Sequence, residues 1–184
     1  MQKKQETGIV KKLGILENRA KRVYLALGSN LGDRVKNLEL AKSLINKNNI
    51  KILKISNFYK TESWPNKNFP YFINFVILIE TGLSVKELYK RIKAIEIQIG
   101  RSKSPKNYPR VCDIDIIDFN GTNLATKFKN DEIIVPHKRM HQRSFVLLPL
   151  YEINKNWIHP KFKKNIVNLV SKLSNLDLRT INLI

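Results

Sequence analysis

Cysteine is nearly absent. Cys112 is the only one in 184 residues, so no internal disulfide can form, and this usage fits a reducing compartment. Acidic residues are scarce as well: 15 Asp+Glu face 34 Lys+Arg, for a formal net charge of +19. No run of 18 apolar residues occurs, and the longest apolar stretch, around Phe72 to Ile79, is broken by Asn74; this argues against a helical membrane span. The basic N-terminus lacks the apolar segment of a secretory signal, so a cytoplasmic protein is expected. Neither G-x-x-x-x-G-K-S/T nor a G-x-G-x-x-G following a strand is present, which removes the two commonest phosphate-cradling loops. The three histidines are too scattered to suggest a zinc site, and no Ser-His-Asp or Cys-His arrangement can be read from spacing.

What remains is an ordinary globular composition, 42% hydrophobic and 27% charged, in a length that suits one domain with a single core. The basic excess has two readings: an anionic partner such as nucleic acid, a membrane surface or a phosphorylated substrate, or charge spread over solvated faces. The lysines are scattered rather than gathered in one stripe, so charge alone identifies no function. Residues 1–20 are basic with weak periodicity and read as a mobile extension, with a short helical piece around Ile15 to Arg19. Residues 21–184 read as a single domain.

Arg22 to Leu27 reads as a strand, followed by the turn Gly28-Ser29-Asn30-Leu31-Gly32. From Asp33 to Asn46, Val35, Leu38, Ala41, Leu44 and Ile45 recur at helical spacing. Ile50 to Tyr59 and Tyr71 to Thr81 read as the second and third strands. Ser84 and Glu87 form a capping-box pattern, Val85, Leu88, Ile92, Ile95 and Ile99 keep one apolar stripe, and Gly100 stops the helix. Val111 to Phe119 is the fourth strand. The order βαββαβ predicts an α+β, ferredoxin-like core: an antiparallel sheet with two helices on one face. Phe145 to Leu150 and Ile166 to Leu173 predict additional C-terminal helices.

Asp113 and Asp115 are separated by one residue on the fourth strand. A period of two puts both carboxylates on one face, with Cα atoms about 6–7 Å apart. Two anions at ~6 Å repel by roughly 3 kcal/mol at an effective dielectric near ~20. A cation between them removes that cost, and hard oxygen donors suit Mg²⁺, which takes one or two protein carboxylates and completes its shell with water and phosphates. Cys112, Ile114 and Ile116 point the other way, into the core. A bare D-x-D is equally an exposed strand face, but its neighbours are basic: Arg101, Lys103, Lys106 and Arg110 precede it, and His137, Lys138, Arg139, His141 and Arg143 follow. Cations and carboxylates converging on one site match what phosphoryl transfer needs.

These residues carry a resemblance. Leu25-Ala26-Leu27-Gly28-Ser29-Asn30-Leu31-Gly32, Ser56-x-x-Tyr59-x-Thr61, Phe72-Ile73-Asn74 and Ile95-Glu96 before Gly100-Arg101 are followed by Pro109-Arg110-x-x-Asp113-Ile114-Asp115-Ile116. Val135-Pro136-His137 and Arg143-x-Phe145-x-Leu147-x-Pro149-Leu150 come next. Over roughly residues 22 to 160 this order resembles the 6-hydroxymethyl-7,8-dihydropterin pyrophosphokinase family. The resemblance implies transfer of a pyrophosphoryl group from ATP to the hydroxymethyl group of a reduced pterin, with release of AMP, in folate biosynthesis. It implies two Mg²⁺ held by Asp113 and Asp115. ATP contacts are implied for Glu96, Arg101, Lys103, Arg110, Ile116, His137 and Arg143, with Arg101 and Arg110 catalytic beside the two aspartates. Pterin contacts are implied for Thr61, Glu62, Trp64, Asn74 and Asp113, and for Phe72 and Phe145 sandwiching the flat ring.

Three positions depart from the pattern: Tyr108 stands where Gly or Ala is usual, Lys103 where Arg is common, and Lys138 where Pro or an aromatic is frequent. The segments Ser63 to Phe69 and Arg101 to Tyr108 read as lids over the nucleotide. A monomer is expected, with no nucleic-acid or membrane partner. The alternatives are a basic ferredoxin-like RNA-binding module, whose aromatic R-G-F-G-F pattern is missing here, or an inactive relative.

Overall fold

The structure is a computed structural model that describes residues 20–184 apart from positions 49, 65 and 106. The expected N-terminal extension and its short helix lie outside the described residues, apart from position 20.

The antiparallel core is built as expected, in the order β1 (Lys21–Ser29), α1 (Arg34–Lys47), β2 (Lys51–Ile55), β3 (Tyr59–Thr61), β4 (Phe72–Thr81), α2 (Val85–Ile99) and β5 (Asp113–Phe119). The strands lie side by side as β5-β1-β4, with β2 and β3 both paired to β4. Local chemistry explains the helix ends. Asp33 accepts the Lys36 amide to cap α1, Ser84 and Glu87 form the reciprocal capping box of α2, and Gly100 ends α2 at φ 107°.

The sheet separates two cores. Val23, Leu25 and Leu27 of β1 and Ile73, Phe75, Ile77 and Ile79 of β4 alternate onto the α1/α2 face. Tyr24, Val76 and Leu78 face the opposite side, which is covered by α3 (Ser144–Ile153) and α4 (Ile166–Val170). Alternation along each strand therefore supplies both faces.

The structure differs from the sequence reading in several places. The second strand is broken in two because the Ser56 hydroxyl takes the Val76 amide at 3.0 Å, using a donor the ladder would otherwise employ. A hairpin, β6 (Leu124–Phe128) and β7 (Asp131–Val135), follows β5 and forms its own two-stranded sheet. The expected helix over Ile166 to Leu173 stops at Val170. A separate turn of helix, α5 (Asn175–Arg179), and a short strand, β8 (Ile181–Leu183), then carry the chain back to pair with β3.

Beyond the carboxylate pair, β5 contains a register shift against β1 between Tyr24 and Leu25. This bulge places Ile117 and Asp118 in succession on the α3 side. Asp118 is 3% exposed, accepts from Trp157 Nε1 at 2.7 Å and from the Gly121 amide at 2.8 Å, and is pushed up by burial.

After α3, His159 is 2% exposed. Its Nδ1 accepts from the Lys161 and Phe162 amides, and its ring stacks on Phe162 with centroids 4.4 Å apart. Burial, then His141, lowers it from 6.5 to about 4. A folded pKa below the unfolded one means that the stabilising contribution is complete above pH ~6.5 and is lost as pH falls toward ~4. The unfolding free energy from urea titrations should therefore decline over that window, by up to about 2–3 kcal/mol. His159→Phe should remove this slope even though it lowers stability at neutral pH; an undiminished slope in the variant would assign it elsewhere.

Candidate active site

A polar row crosses the sheet where β1, β4 and β5 run together: Asn74 pairs with Gly28, and Gly28 pairs with Asp113. Glycine is required there by space. A Cβ on Gly28 would lie 2.7 Å from Asn74 Oδ1, so the missing side chain leaves a floor between Asn74 and Asp113. Asn74 is 6% exposed and donates to Thr61 Oγ1 at 2.9 Å. Its burial is thus compensated within the protein. Phe72, two residues earlier on the same face, is half-buried, with the Arg110 guanidinium 5.7 Å from its ring centre.

Asp113 and Asp115 share one face, as the strand period requires, while Ile114 and Ile116 enter the α1/α2 core. Arg101 Nη1 lies 2.6 Å from Asp113 Oδ1 and Arg110 Nε 3.3 Å from Asp113 Oδ2. Arg143 Nη1 is 3.3 Å and His137 Nε2 3.7 Å from Asp115 Oδ2. The α2–β5 connection and the segment after β7 therefore bring four basic side chains onto two carboxylates. Burial alone would raise Asp113, but Arg110, Arg101 and Lys93 outweigh it and hold the carboxyl below its ordinary value. Burial lowers His137 against the opposing pull of Asp115.

The same donors bear on metal binding. Among the described residues no group of three or more His, Cys, Asp or Glu side chains could hold an ion, so the site offers two carboxylates and no closed cage. Mg²⁺ suits that donor set, because it keeps water and substrate phosphates in its shell, whereas a structural zinc site needs four protein ligands.

Glu96 is the least solvated member of the cluster at 1% exposure, so it is not a helix-surface charge. Its carboxylate accepts from Arg101 Nη1 at 2.5 Å, Lys93 Nζ at 2.9 Å and the Ile114 amide at 2.7 Å. Burial pushes it up, opposed by Lys93 and Arg101. One buried carboxylate thus fixes both Arg101 and the β5 backbone between the two aspartates.

The remaining expected residues divide. Phe145 is half-buried beside Arg143, whose guanidinium is 5.4 Å from its ring centre. Ile116 is 7% exposed in the α1/α2 core, so its side chain lies on the opposite face from the carboxylates. Lys103 is exposed. Glu62 is exposed and pairs with Lys67 at 2.9 Å. Trp64 is 69% exposed, with the Arg139 guanidinium 5.9 Å from its ring centre. Lys138 pairs with Glu132 at 2.9 Å, on the β7 side.

Sequence reading missed Asn30. At 1% exposure it accepts from the Arg110 amide at 2.8 Å and donates to Ser63 Oγ at 3.1 Å and the Pro70 carbonyl at 3.2 Å. Its own amide donates to the Arg110 carbonyl at 3.1 Å. Asn30 therefore ties the Arg110 segment to the β3–β4 connection. The only sequence signal was its place in the glycine-bracketed turn, which reads equally well as an ordinary β-to-α turn.

Comparison with known proteins identifies relatives of this chain. The profile of the 7,8-dihydro-6-hydroxymethylpterin-pyrophosphokinase (HPPK) family matches residues 24–155. The 2-amino-4-hydroxy-6-hydroxymethyldihydropteridine pyrophosphokinase of Aquifex aeolicus is 38% identical over 142 residues, covering 77% of this chain and 86% of that protein. Its Bacillus subtilis counterpart is 38% identical over 131 residues, 71% of this chain and 76% of that one. The folic acid synthesis protein fol1 of Pneumocystis carinii is 33% identical over 172 residues, but these are 94% of this chain and only 22% of that longer protein. Among solved structures, Plasmodium falciparum HPPK-DHPS with pteroate superposes with a TM-score of 0.68 at 18% identity, over 84% of this chain and 44% of that one, a likeness of fold. With the profile spanning most of its length and relatives matched over most of theirs, this chain belongs to the 7,8-dihydro-6-hydroxymethylpterin-pyrophosphokinase family.

Proposed function

We infer that this chain transfers pyrophosphate from ATP to 6-hydroxymethyl-7,8-dihydropterin, giving AMP and the pterin diphosphate. The observation that carries the reading is the pairing of Asp113 and Asp115 on one sheet face with Arg101, Arg110, His137 and Arg143 around them. Asp113 and Asp115 would hold two Mg²⁺, which supply neutralisation of the triphosphate's charge when bound. Arg101, Arg110 and Arg143 have fork geometry suited to phosphate oxygens and to the charge that develops on them in transfer, and His137 adds a hydrogen-bonding nitrogen. Phe72 and Phe145 supply aromatic faces for the pterin, with Asn74 and Thr61 at its edge.

The pterin hydroxyl oxygen forms a bond to the β-phosphorus, the bond from that phosphorus to the α,β-bridging oxygen breaks, AMP departs, and the hydroxyl proton is released. Alignment and charge stabilisation carry the rate, and no strong base is assigned. A cytoplasmic monomer completes the proposal.

Incubation with ATP, Mg²⁺ and hydroxymethyl-dihydropterin, with nucleotides separated by chromatography, tests it. AMP should accumulate in equal amount with the pterin diphosphate and only with divalent metal. ADP as the product would mean a simple kinase, and ATP binding without AMP release would mean an inactive relative.

A further inference from the structure

After α3 the chain folds back and encloses a cavity that the transfer site does not use. Its volume is about 430 Å³, within the range of small-molecule pockets. His141 walls it from the 3-10 turn Met140–Gln142, Phe162 and Lys164 from the loop between α3 and α4, and Leu169, Lys172 and Leu173 from α4 and the turn after it. None of these residues belongs to the cluster of carboxylates and arginines. Backbone bonds tie the loop: Ile158 bridges to Asn165, the His159 amide donates to the Lys164 carbonyl and the Lys163 amide to the His159 carbonyl, both at 2.8 Å. The Lys172 and Leu173 amides donate to the Leu169 and Val170 carbonyls at 3.2 and 3.0 Å. The main chain that carries both lysines is therefore held in place by the fold itself, which lowers the cost of ordering it around a ligand.

The lining joins two like charges to an apolar wall. Lys164 and Lys172 are exposed, and the Lys172 ammonium beside it holds Lys164 below its ordinary value. Asp177, the one acid among the described lining residues, is turned to Ser174, accepting from its amide at 3.3 Å and its hydroxyl at 2.7 Å. Burial, then Lys161, lowers His141, so its ring adds no charge at neutral pH. Phe162 is 41% exposed and meets that ring edge-on, with centroids 4.9 Å apart at 82°. We propose that this cavity is a second binding site, for the phosphate ester of a small aromatic compound: Lys164 and Lys172 take the phosphate, and Phe162 and Leu173 take the ring. A phosphate monoester carries up to about two negative charges near neutral pH, which matches two ammonium groups, and lysine binds phosphate as a point charge without the geometry a fork demands. The two charges meet at a concave site, which suits a small molecule better than an extended polyanion.

The probe is phenyl phosphate, titrated into the full chain at low ionic strength and followed by backbone amide NMR shifts, with inorganic phosphate as the arm that lacks a ring. Saturable shifts should map to residues 162–173 and persist when a non-hydrolysable ATP analogue and Mg²⁺ are added. Phenyl phosphate should bind about two- to tenfold more tightly than inorganic phosphate, the worth of one aromatic contact. Lys164→Ala and Lys172→Ala should each weaken it about two- to fivefold, as exposed charge pairs do, while Lys172→Arg keeps the charge and should retain binding. Both lysines are exposed, so the variants should keep the wild-type spectrum away from the cavity. Shifts that do not saturate overturn the proposal, as do shifts that map to residues 110–116 or vanish with the ATP analogue, equal affinity for the two probes, or unchanged affinity in both alanine variants. No reading here needs turnover, so a failure to form AMP would sink the transfer reaction and leave this test standing.

Discussion

Asp115→Ala is expected to slow Mg²⁺-dependent AMP formation by at least about 10³-fold while leaving a cooperatively folding protein. The effect is large because one of the two carboxylates proposed to hold metal disappears, and with it the group that holds Arg143 at 3.3 Å and His137 at 3.7 Å. The fold should tolerate the loss because the Asp115 side chain is 33% exposed and Arg143 retains 20% exposure, so both reach water. A solvent-accessible pair of this kind is worth about 1 kcal/mol or less. Rate by AMP chromatography and stability by urea midpoint separate the two effects. Activity within tenfold of the wild type would remove Asp115 from the site, and a collapsed unfolding transition would make it structural.

Glu96→Ala should do the reverse and unfold the protein more easily, by about 3–5 kcal/mol. Its carboxylate is 1% exposed and takes Arg101, Lys93 and the Ile114 amide at once. Lys93, with its side chain 32% exposed, can turn to solvent. Arg101 is left with Asp113 as its carboxylate partner, and a buried backbone donor is orphaned, which carries its own desolvation penalty. Glu96→Gln keeps an acceptor for Ile114 but no charge for Arg101, and should fall between the wild type and the alanine variant. Denaturant midpoints compare all three. If Glu96→Ala loses less than about 1 kcal/mol, the cluster is not the anchor its hydrogen bonds imply.

Asp115 and Glu96 also show how much was legible before the fold was known. The facing of Asp113 and Asp115 follows from strand periodicity alone, and α2 was readable because its capping box, apolar stripe and terminal glycine all agree. Glu96 in the same helix could be read either as a surface charge or as a site residue, because helical spacing does not say what packs above Lys93 and Arg101. The bulge that turns Asp118 inward was invisible for a related reason: alternation predicts facing only while register holds, and here β1 shifts against β5 between Tyr24 and Leu25. The β6–β7 hairpin and the return of β8 to β3 depend on pairings between segments whose local patterns are weak. The partners of Asn30 lie 33, 40 and 80 residues away, and no local rule reaches that far.

Periods of two and 3.6 are properties of the backbone, so the strand that carries the acids, the side on which they stand and the basic residues available to meet them could be read from residue order. Which cations meet which carboxylate, that Glu96 rather than solvent holds Arg101, and that Gly28 must lack a side chain so that Asn74 can lie across it were settled by the folded chain. Those outcomes depend on desolvation and close approach between segments distant in the chain, and neither exists until the sheet has paired.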